Sequence, residues 1–513
     1  MDKTSYNATV DFIDRHVAEG RGDKIAVIDD AGQYSYAELL ERVNQAANLL
    51  AGLGLERENR IALLMLDSVD WLALFWGAIK ARIVPVCLNT LLTTDQYRYI
   101  LGDCRAKALF VSSPLLAKVA PILSELPALQ HVGVNAGEAG GHLSLDALMG
   151  DADAAFEAAD TDPDEIAFWL YSSGSTGMPK GTMHRQTAMR YTADTYGEQV
   201  LGIRPDDVGF SAAKLFFAYG LGNSMSFPLS VGATTVLMAE RPTPAAVMKV
   251  LKRTNPTIFY GVPTLYAAML ADPACTPENG SDRLRLCVSA GEALPEDVGK
   301  RWRQRFGVDI LDGVGSTEML HIFLSNRPDD VNYGTSGVAV PGYRLRLVDE
   351  AGTDVPRGEI GELLVEGESA ASGYWNQREK SRATFAGPWT WTGDKYYQDE
   401  QGYYRICGRS DDMFKVSGIW VSPYEVEAAL IGHETVVEAA VIPREDDEGL
   451  LKPMAFVIFK EGVTADAALF EELKEHVKAK AGPWKYPRWI EPRDELPKTA
   501  TGKIQRFKLR EDG

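Results

Sequence analysis

The sequence has few cysteines and no hydrophobic run long enough to cross a bilayer. Its five cysteines have no metal-ligand spacing, and their odd number favours reduced core residues over a disulfide framework. The longest strongly apolar stretch, Trp71 to Ile79, is far shorter than the roughly 20 residues of a membrane helix. The amino terminus has neither a basic start nor an apolar signal core. These absences predict a cytoplasmic protein without a membrane partner.

Positive charge is also scarce, with 53 lysines and arginines against 72 aspartates and glutamates and a formal net charge of −19. This balance argues against nucleic acid or an anionic membrane as a partner. An anionic ligand would then depend on nearby cations, because more distant surface charges are screened beyond about 8 Å. The candidate cations are Lys180, Arg409, Lys415 and Lys503.

The chain is too long for one core, so we expect at least two domains. Short apolar strands alternate with helical stretches through most of the sequence, which predicts an α/β domain with helix-covered, mostly parallel sheets. The polar cluster from Gly408 to Asp412 is the best candidate for a boundary, and about 100 residues of small α+β domain follow it. We therefore predict a large domain over residues 1–410 and a small one over residues 411–513.

A glycine- and hydroxyl-rich loop follows an apolar strand predicted over residues 166–171. It reads Tyr-Ser-Ser-Gly-Ser-Thr-Gly-Met-Pro-Lys-Gly from Tyr171 to Gly181. Glycines let backbone N–H groups turn inward, and hydroxyls and a lysine add donors, as in a phosphate cradle. Gly181 stands where the common P-loop has Ser or Thr. A flexible surface linker is the alternative, but it fits an apolar strand poorly. The predicted phosphate contacts are Ser172, Ser173, Gly174, Ser175, Thr176, Gly177 and Lys180.

This loop and four later segments resemble the signature motifs of the adenylate-forming enzymes, which include acyl- and aryl-CoA ligases, luciferases and peptide-synthetase adenylation domains. The later segments are Gly315-Ser-Thr-Glu318, Trp391-Thr-Gly-Asp394, Gly408 to Gly418 and Pro497 to Lys503. The five motifs follow the family's order along the whole chain. The resemblance therefore implies that the protein activates a carboxylate with ATP and Mg²⁺.

The resemblance also assigns the nucleotide contacts. Thr317 would contact phosphate and Glu318 would help to hold Mg²⁺, which suits a hard oxygen ligand; alone, a Thr-Glu pair more often marks a helix start. Both follow an apolar run at 308–312 that we expect to end at an acidic turn. Asp394 and Arg409 would bind the ribose hydroxyls. The remaining ATP contacts would be Gly291, Glu292, Ala293, Asp312, Gly313 and Val314, the last at a position where the family usually has an aromatic residue.

In such enzymes the small domain rotates between two half-reactions. Asp411 corresponds to the hinge, although by itself it would be read as a solvated loop acid. Lys503, the catalytic lysine, would enter for adenylation and leave for thioester formation. CoA would then meet Lys415, Ser417 and Gly418, where glycine lets pantetheine pass close to the backbone. Similar enzymes are acetylated on this lysine, which makes a lysine acetyltransferase a possible partner.

The acid pocket is expected to be a short flat slot that suits a benzene ring. Phe217 stands where many relatives have histidine, and Phe216 is predicted to belong to the core. His321 is a candidate partner for a para-hydroxyl, a general pocket wall, or a structural histidine. The residues predicted to line the slot are Phe217, Ala218, Tyr219, Gly220, Gly315, His321 and Ile322.

Several strings resemble those of bacterial benzoate–CoA and hydroxybenzoate–CoA ligases, and the opening, Tyr6 to Asp29, resembles the 4-hydroxybenzoate members. The resemblance implies an aryl–CoA ligase that consumes ATP, CoA and benzoate or 4-hydroxybenzoate. Two alternatives are an adenylation enzyme that loads a separate carrier protein and a non-catalytic nucleotide sensor. A sensor would be free to lose the motif residues Glu318, Asp394, Arg409 and Lys503. The ring substituents and the oligomeric state stay open.

Overall fold

The computed structural model describes residues 5–172, 178–410, 412–416, 419–447, 450–498 and 504–512. Within these ranges it contains 27 strands and 16 α-helices. The strands are β1 Ile25–Ile28, β2 Gln33–Ser35, β3 Arg60–Leu64, β4 Val84–Cys87, β5 Ala108–Ser112, β6 His131–Asn135, β7 Leu143–Ser144, β8 Ile166–Ser172, β9 Lys180–Arg185, β10 Val208–Ser211, β11 Thr234–Val236, β12 Ile258–Gly261, β13 Leu286–Ser289, β14 Ile310–Gly315, β15 Ile322–Ser325, β16 Val338–Ala339, β17 Arg344–Val348, β18 Gly361–Glu366, β19 Gly373–Tyr374, β20 Phe385–Ala386, β21 Trp389–Gln398, β22 Tyr404–Arg409, β23 Phe414–Val416, β24 Ile419–Val421, β25 Val436–Glu445, β26 Leu451–Phe459 and β27 Trp489–Pro492.

The helices alternate with these strands over most of the chain. The α-helices are α1 Arg15–Ala18, α2 Tyr36–Gly52, α3 Val69–Lys80, α4 Thr94–Cys104, α5 Leu116–Val119, α6 Leu145–Asp151, α7 Ala188–Thr192, α8 Ala218–Leu221, α9 Phe227–Val231, α10 Pro244–Thr254, α11 Pro263–Ala271, α12 Glu296–Phe306, α13 Arg378–Thr384, α14 Pro423–Ile431, α15 Ala467–Ala481 and α16 Arg506–Asp512. Short π-helices span Val10–Asp14, Ala193–Glu198 and Gly222–Ser226, and 3₁₀ turns span Ser113–Leu115, Ala120–Glu125 and Pro277–Asn279.

Two large sheets form most of the molecule, and the prediction of helix-covered, mostly parallel sheets is confirmed. One has the strand order β16-β15-β14-β13-β12-β10-β11-β1-β2, and the other has the order β19-β9-β8-β4-β3-β5-β6-β7. The inner strands of both are parallel. Antiparallel strands lie at both edges of the first sheet and at the β9–β19 edge of the second, whereas β7 at its other edge is parallel to β6. In such sheets the loops after the carboxyl ends of the strands are the usual position of a binding site.

Helix α3 is buried along almost its whole length, with Trp71 and Trp76 fully enclosed in the main core. Its first turn is capped by Ser68, whose side chain accepts a hydrogen bond from the Trp71 N–H. Helix α2 packs closely against α3 at Gly77, where an added Cβ would come within 2.7 Å of the Ala46 side chain. A helix that is apolar on all sides needs such enclosure from both faces.

A smaller unit follows β22. Its sheet has the order β25-β26-β27, and α14 and α15 pack on it around a core of their own that includes Leu430, Val457 and Leu473. The preceding antiparallel sheet, β17-β18-β21-β20 with β22 on β21, lies between this unit and the large parallel sheets in the chain order.

All five cysteines are buried and unpaired, namely Cys87, Cys104, Cys275, Cys287 and Cys407. Among the helices in the described ranges, none has both the length and the apolar character that a bilayer crossing requires.

Candidate active site

The predicted phosphate loop connects two strands that pair with each other. β8 and β9 are antiparallel, and Ser172 lies directly opposite Lys180, so the pairing holds the two ends of the loop together. The loop itself, with Ser173, Gly174, Ser175, Thr176 and Gly177, falls outside the described residues. The Ser172 hydroxyl is buried and has no hydrogen-bond partner within the described part of the chain.

Lys180, Glu318 and Tyr374 meet beside this loop. The Tyr374 hydroxyl donates to Glu318 Oε1 over 2.7 Å and accepts from Lys180 Nζ over 3.2 Å. The Lys180 ammonium also lies 4.3 Å from the centre of the Tyr374 ring, while Lys180 Nζ and Glu318 Oε1 are 3.9 Å apart. Burial lowers the pKa of Lys180, and the Glu318 carboxylate opposes this shift. The sequence analysis did not single out Tyr374, which no motif distinguishes from an ordinary core tyrosine.

Thr317 and Glu318 lie in a tight turn between β14 and β15 rather than at a helix start. The Leu320 N–H donates to the Thr317 carbonyl over 3.2 Å, and Leu320 has a φ of +66°. The Ala371 N–H donates to the Glu318 carbonyl over 2.8 Å. The expected acidic turn at Asp312 was wrong, because β14 continues through Asp312 to Gly315 along its partner β15.

Glu318 offers a single carboxylate to a metal ion. None of the described residues forms a group of three or more histidine, cysteine, aspartate or glutamate side chains that could hold a metal. The hydrogen bond from Tyr374 occupies Oε1, and no hydrogen bond from the described residues reaches the other carboxylate oxygen. This donor set fits Mg²⁺, which usually binds through one or two carboxylates together with substrate phosphates and water.

The two predicted ribose contacts are adjacent. Asp394 on β21 pairs with Arg409 on β22, and Arg409 Nη1 donates to Asp394 Oδ1 over 2.9 Å and to the Thr392 carbonyl over 3.0 Å. Gly393, which directly precedes Asp394, has a φ of +72°, and a Cβ added to it would come within 2.8 Å of Arg409 Nη2. The glycine therefore allows both the turn and the close approach of the guanidinium.

The predicted adenine-side residues come from two neighbouring loops and strands. Gly291, Glu292 and Ala293 follow the carboxyl end of β13, whereas Asp312, Gly313 and Val314 lie on β14. The Leu294 N–H donates to Asp312 Oδ2 over 3.4 Å, which connects the two groups. Burial raises the pKa of Asp312 well above its usual range.

The predicted slot for the acid lies after the carboxyl ends of β10, β12 and β13. The Tyr219 hydroxyl donates to the carbonyls of Gly261 and Val288 over 3.1 and 3.2 Å. An added Cβ at Gly220 would collide with the Lys214 carbonyl, and one at Gly315 would come within 2.5 Å of the His321 carbonyl. Tyr219 and Gly315 therefore both lie against His321, and Gly220 follows Tyr219 in α8.

The other predicted slot residues lie on the same segments. Phe217 and Ala218 are half-buried at the start of α8, and Ile322 is buried at the start of β15. Phe216 is buried in the main core and contacts the Phe217 ring edge-on, with centroids 4.4 Å apart.

His321 is fully enclosed by aromatic rings and polar groups. Its Nε2 lies 3.2 Å from both the Tyr219 carbonyl and Asn223 Oδ1, so this nitrogen carries the proton. Burial lowers the pKa of His321 to about 3, which keeps the ring neutral. Its Nδ1 is then an acceptor, and it has no hydrogen-bond partner among the described residues.

The predicted residues of the small domain are mostly outside the described ranges. Asp411, Ser417, Gly418 and Lys503 fall there, and Lys415 lies on β23, where only its backbone is described. Next to the predicted hinge, Asp412 accepts hydrogen bonds from Arg506 and Arg510 on α16 over 3.4 and 2.5 Å.

Comparison with known proteins places the chain among similar sequences over its whole length. The family described as AMP-binding enzyme matches residues 14–375, and its C-terminal domain matches residues 425–503. The benzoate–CoA ligase of Thauera aromatica is 59% identical over 98% of this chain and 96% of that protein. The 4-hydroxybenzoate–CoA/benzoate–CoA ligase of Rhodopseudomonas palustris is 57% identical over 100% of this chain and 95% of that protein.

The fold is similar to a solved structure of the same class. The crystal structure of a benzoate CoA ligase from Burkholderia xenovorans superposes with a TM-score of 0.91 and 50% identity, covering 98% of this chain and 100% of that one.

Proposed function

Because the chain belongs to the AMP-binding enzyme family, we propose that it is an AMP-forming aryl–CoA ligase acting on benzoate or 4-hydroxybenzoate. It converts the acid, ATP and CoA into aryl–CoA, AMP and pyrophosphate through an aryl-AMP. The observation that carries this proposal is the identity along nearly the whole chain to two ligases named for these acids.

In the first step the aryl carboxylate attacks the α-phosphate and pyrophosphate leaves. Lys180 and the loop before it bind the triphosphate, Thr317 contacts phosphate, and Asp394 and Arg409 bind the ribose hydroxyls. Glu318 would hold Mg²⁺, which neutralises phosphate charge when bound. The Lys503 ammonium stabilises the charge that develops at the reacting carboxylate and phosphate.

In the second step the CoA thiolate attacks the activated carbonyl and AMP leaves. This step needs a different approach to the same carbonyl, so residues 411–513 rotate about Asp411 relative to residues 1–410. The loop with Lys415, Ser417 and Gly418 then guides pantetheine. The separate core of the unit around β25–β27 supports movement as one body.

The ring lies in the slot formed by α8 and the β14–β15 turn. Tyr219 and Ile322 provide apolar contact, and the close approaches at Gly220 and Gly315 leave no space for a side chain at either position. The neutral His321 offers Nδ1 to a donor, which supports acceptance of a ring hydroxyl.

Two further features belong to this proposal. Acetylation of Lys503 by an acetyltransferase would remove its charge and stop adenylation. A cytoplasmic location agrees with five cysteines that are all buried and unpaired.

A coupled assay tests the proposal. AMP formation should require an aryl acid, ATP, Mg²⁺ and CoA together, and kcat/KM should be compared for benzoate and its 2-, 3- and 4-hydroxy derivatives. Aryl-AMP formation without thioester production from CoA would indicate a carrier-loading enzyme instead. Failure to release pyrophosphate with any ring acid would leave only nucleotide binding.

A further inference from the structure

Tyr374 occupies a well-defined position between Lys180 and Glu318. It lies on β19, which pairs with β9 two residues after Lys180, so that Tyr374 faces Thr182 across the pair. The Tyr374 backbone N–H donates to the Ser381 hydroxyl over 2.9 Å, and the Tyr374 ring packs on Phe385 with centroids 5.4 Å apart. Both contacts restrict the movement of the residue. Only 5% of the Tyr374 surface is exposed, so the surrounding residues hold the side chain in this orientation.

The hydroxyl connects two groups of opposite charge. The hydroxyl donates its single proton to Glu318 Oε1 over 2.7 Å and accepts a hydrogen bond from Lys180 Nζ over 3.2 Å. A tyrosine hydroxyl has an ordinary pKa of about 10, so the phenol carries its proton near neutral pH. Donation therefore runs in one direction, from Lys180 through Tyr374 to Glu318.

This arrangement prevents a direct contact between Lys180 and Glu318. Lys180 Nζ stays 3.9 Å from Glu318 Oε1, beyond hydrogen-bond length, although the two side chains are only 19% and 17% exposed. A direct charge-assisted pair would be short and would engage the carboxylate that Mg²⁺ needs and the ammonium that a phosphate needs. With the phenol between them, Glu318 keeps one oxygen and Lys180 keeps further N–H donors for ligands.

We propose that Tyr374 is a positioning residue that orients the Glu318 carboxylate for Mg²⁺ and keeps it from pairing directly with Lys180. This inference rests on the proposed function, because it assigns Glu318 to the metal. It predicts that the phenol hydroxyl controls the affinity for metal–ATP but not for the ring acid, because its hydrogen bonds run to Lys180 and Glu318.

The Tyr374→Phe variant tests this directly, since it keeps the ring over Lys180 and removes only the hydroxyl. Binding of Mn²⁺–ATP, measured by calorimetry and by electron paramagnetic resonance without acid or CoA, should weaken about tenfold, as for loss of a hydrogen bond to a charged group. The Mg²⁺ concentration for half-maximal adenylation should rise similarly, while KM for the acid stays within about twofold.

A matched control is available in Tyr333→Phe. Tyr333 also donates its hydroxyl to a carboxylate, Asp309 Oδ1, over 2.8 Å, but it contacts neither Lys180 nor Glu318. This variant should bind Mn²⁺–ATP as tightly as the wild type. Equal weakening in both variants would indicate a general structural effect and overturn the inference.

The double variant Tyr374→Phe/Glu318→Gln separates direct action from action through Glu318. If Tyr374 acts through the carboxylate, the double variant should bind Mn²⁺–ATP no more weakly than the single variant Glu318→Gln. Fully additive losses would overturn the inference. A second pair of variants tests the inference without Tyr374→Phe. The variant Tyr374→Gln, which retains a hydrogen-bond donor, should bind Mn²⁺–ATP more tightly than Tyr374→Leu.

Failure of the inference and failure of the proposed function give different results. A wild-type enzyme that forms aryl–CoA, with a Tyr374→Phe variant whose metal dependence is unchanged, overturns only the role of Tyr374. A wild-type protein that binds Mn²⁺–ATP but forms no aryl-AMP from any ring acid contradicts the proposed function instead.

Discussion

At the scale of single residues, burial determines the protonation state of two histidines, His16 and His321. His321 and His16 are both enclosed, and burial lowers their pKa values to about 3 and about 4. The first is a neutral group at the predicted acid slot, and its buried Nδ1 has no hydrogen-bond partner among the described residues. The second lies far along the chain from the predicted motifs and contacts Leu229 and Arg21. These two residues allow separate tests of specificity and of pH dependence.

Replacement of His321 by leucine should discriminate between ring acids. If a para-hydroxyl donates to Nδ1, the variant loses that acceptor, and the resulting unpaired hydroxyl costs about 1–3 kcal/mol. The loss in kcat/KM should therefore be larger for 4-hydroxybenzoate than for benzoate by about 5- to 150-fold. Tyr219→Ala serves as the comparison, because it should weaken all ring acids alike. Equal losses for the two acids in His321→Leu would make His321 a general wall of the slot.

His16 should make the protein less stable as the pH falls. Its Nε2 is 2.5 Å from the Leu229 carbonyl, and Arg21 donates to its Nδ1 over 2.9 Å. The folded pKa is about 4 against 6.5 for the unfolded chain, so the unfolded state takes up a proton first on acidification. The contribution is fully present above pH 6.5 and is lost as the pH falls towards 4.

Urea titrations at two pH values check this. The stability advantage of the wild type over His16→Gln should shrink by about 1.4 kcal/mol between pH 7.5 and pH 5.5. Carboxylates that titrate in the same range are common to both proteins and cancel in the difference. An advantage that is constant or grows on acidification would contradict the assigned pKa.

At the scale of elements, α16 is attached to the segment that follows the predicted hinge. Arg506 and Arg510 both donate to Asp412. Arg506 Nη2 also donates to both carboxylate oxygens of Glu427 on α14, over 2.7 and 2.9 Å. Because α16 begins three residues after Lys503 in the sequence, these contacts connect the segment after the predicted hinge to the helix that follows the proposed catalytic lysine. They also explain how a charged guanidinium is accommodated with only 7% of its side chain exposed.

Asp412→Ala should therefore affect adenylation more than thioester formation. Loss of the contacts to α16 leaves Lys503 less well placed, and we expect aryl-AMP formation to fall about tenfold. Thioester formation from supplied aryl-AMP does not need Lys503 and should fall less than about threefold. Glu471→Ala, which removes an exposed pair with Lys474, is the control and should change neither step. Equal losses in both half-reactions would point to general loosening of the small unit.

At the scale of the whole molecule, the proposed reaction requires two arrangements of residues 411–513. Proline fixes φ, so Asp411→Pro should hold the chain in one arrangement. If this is the adenylating arrangement, rapid-quench experiments should detect one turnover of pyrophosphate release, with little aryl–CoA. A bulky residue at Gly418 should also block thioester formation. A slimmer thiol acceptor should partly restore thioester formation in the Gly418 variant, but it should not restore it in the proline variant. Normal CoA turnover in both variants would contradict a rotating-domain mechanism.

The sequence alone predicted the class of fold and the approximate position of some of its elements. The strand before the phosphate loop and helix α3 were identifiable from continuous apolar runs, because complete burial requires them. Helix α14 spans Pro423–Ile431, and proline at the first position and the capping Ser422 mark its start in the sequence. Local signals of this kind depend on neighbouring residues and can be read from them.

The sequence was less informative about boundaries and about contacts between distant segments. It predicted that β14 would end at Asp312, although pairing with β15 extends the strand to Gly315. It identified Lys180 and Glu318 only through motifs, and it did not identify Tyr374, which reaches them because β19 pairs with β9 across nearly 200 positions.

The sequence by itself therefore determined which chemical groups are present: a hydroxyl-rich loop, a Thr-Glu pair, the acid and the arginine predicted for ribose, and the small and aromatic residues predicted to line a slot. Only the tertiary structure decided which of these groups meet. Asp394 faces Arg409 because β21 and β22 pair, and the hydroxyl of Tyr374 lies between Lys180 and Glu318 because an edge strand places it there. Residue types follow from local order along the chain, whereas such contacts depend on strand pairing between segments that are remote in sequence.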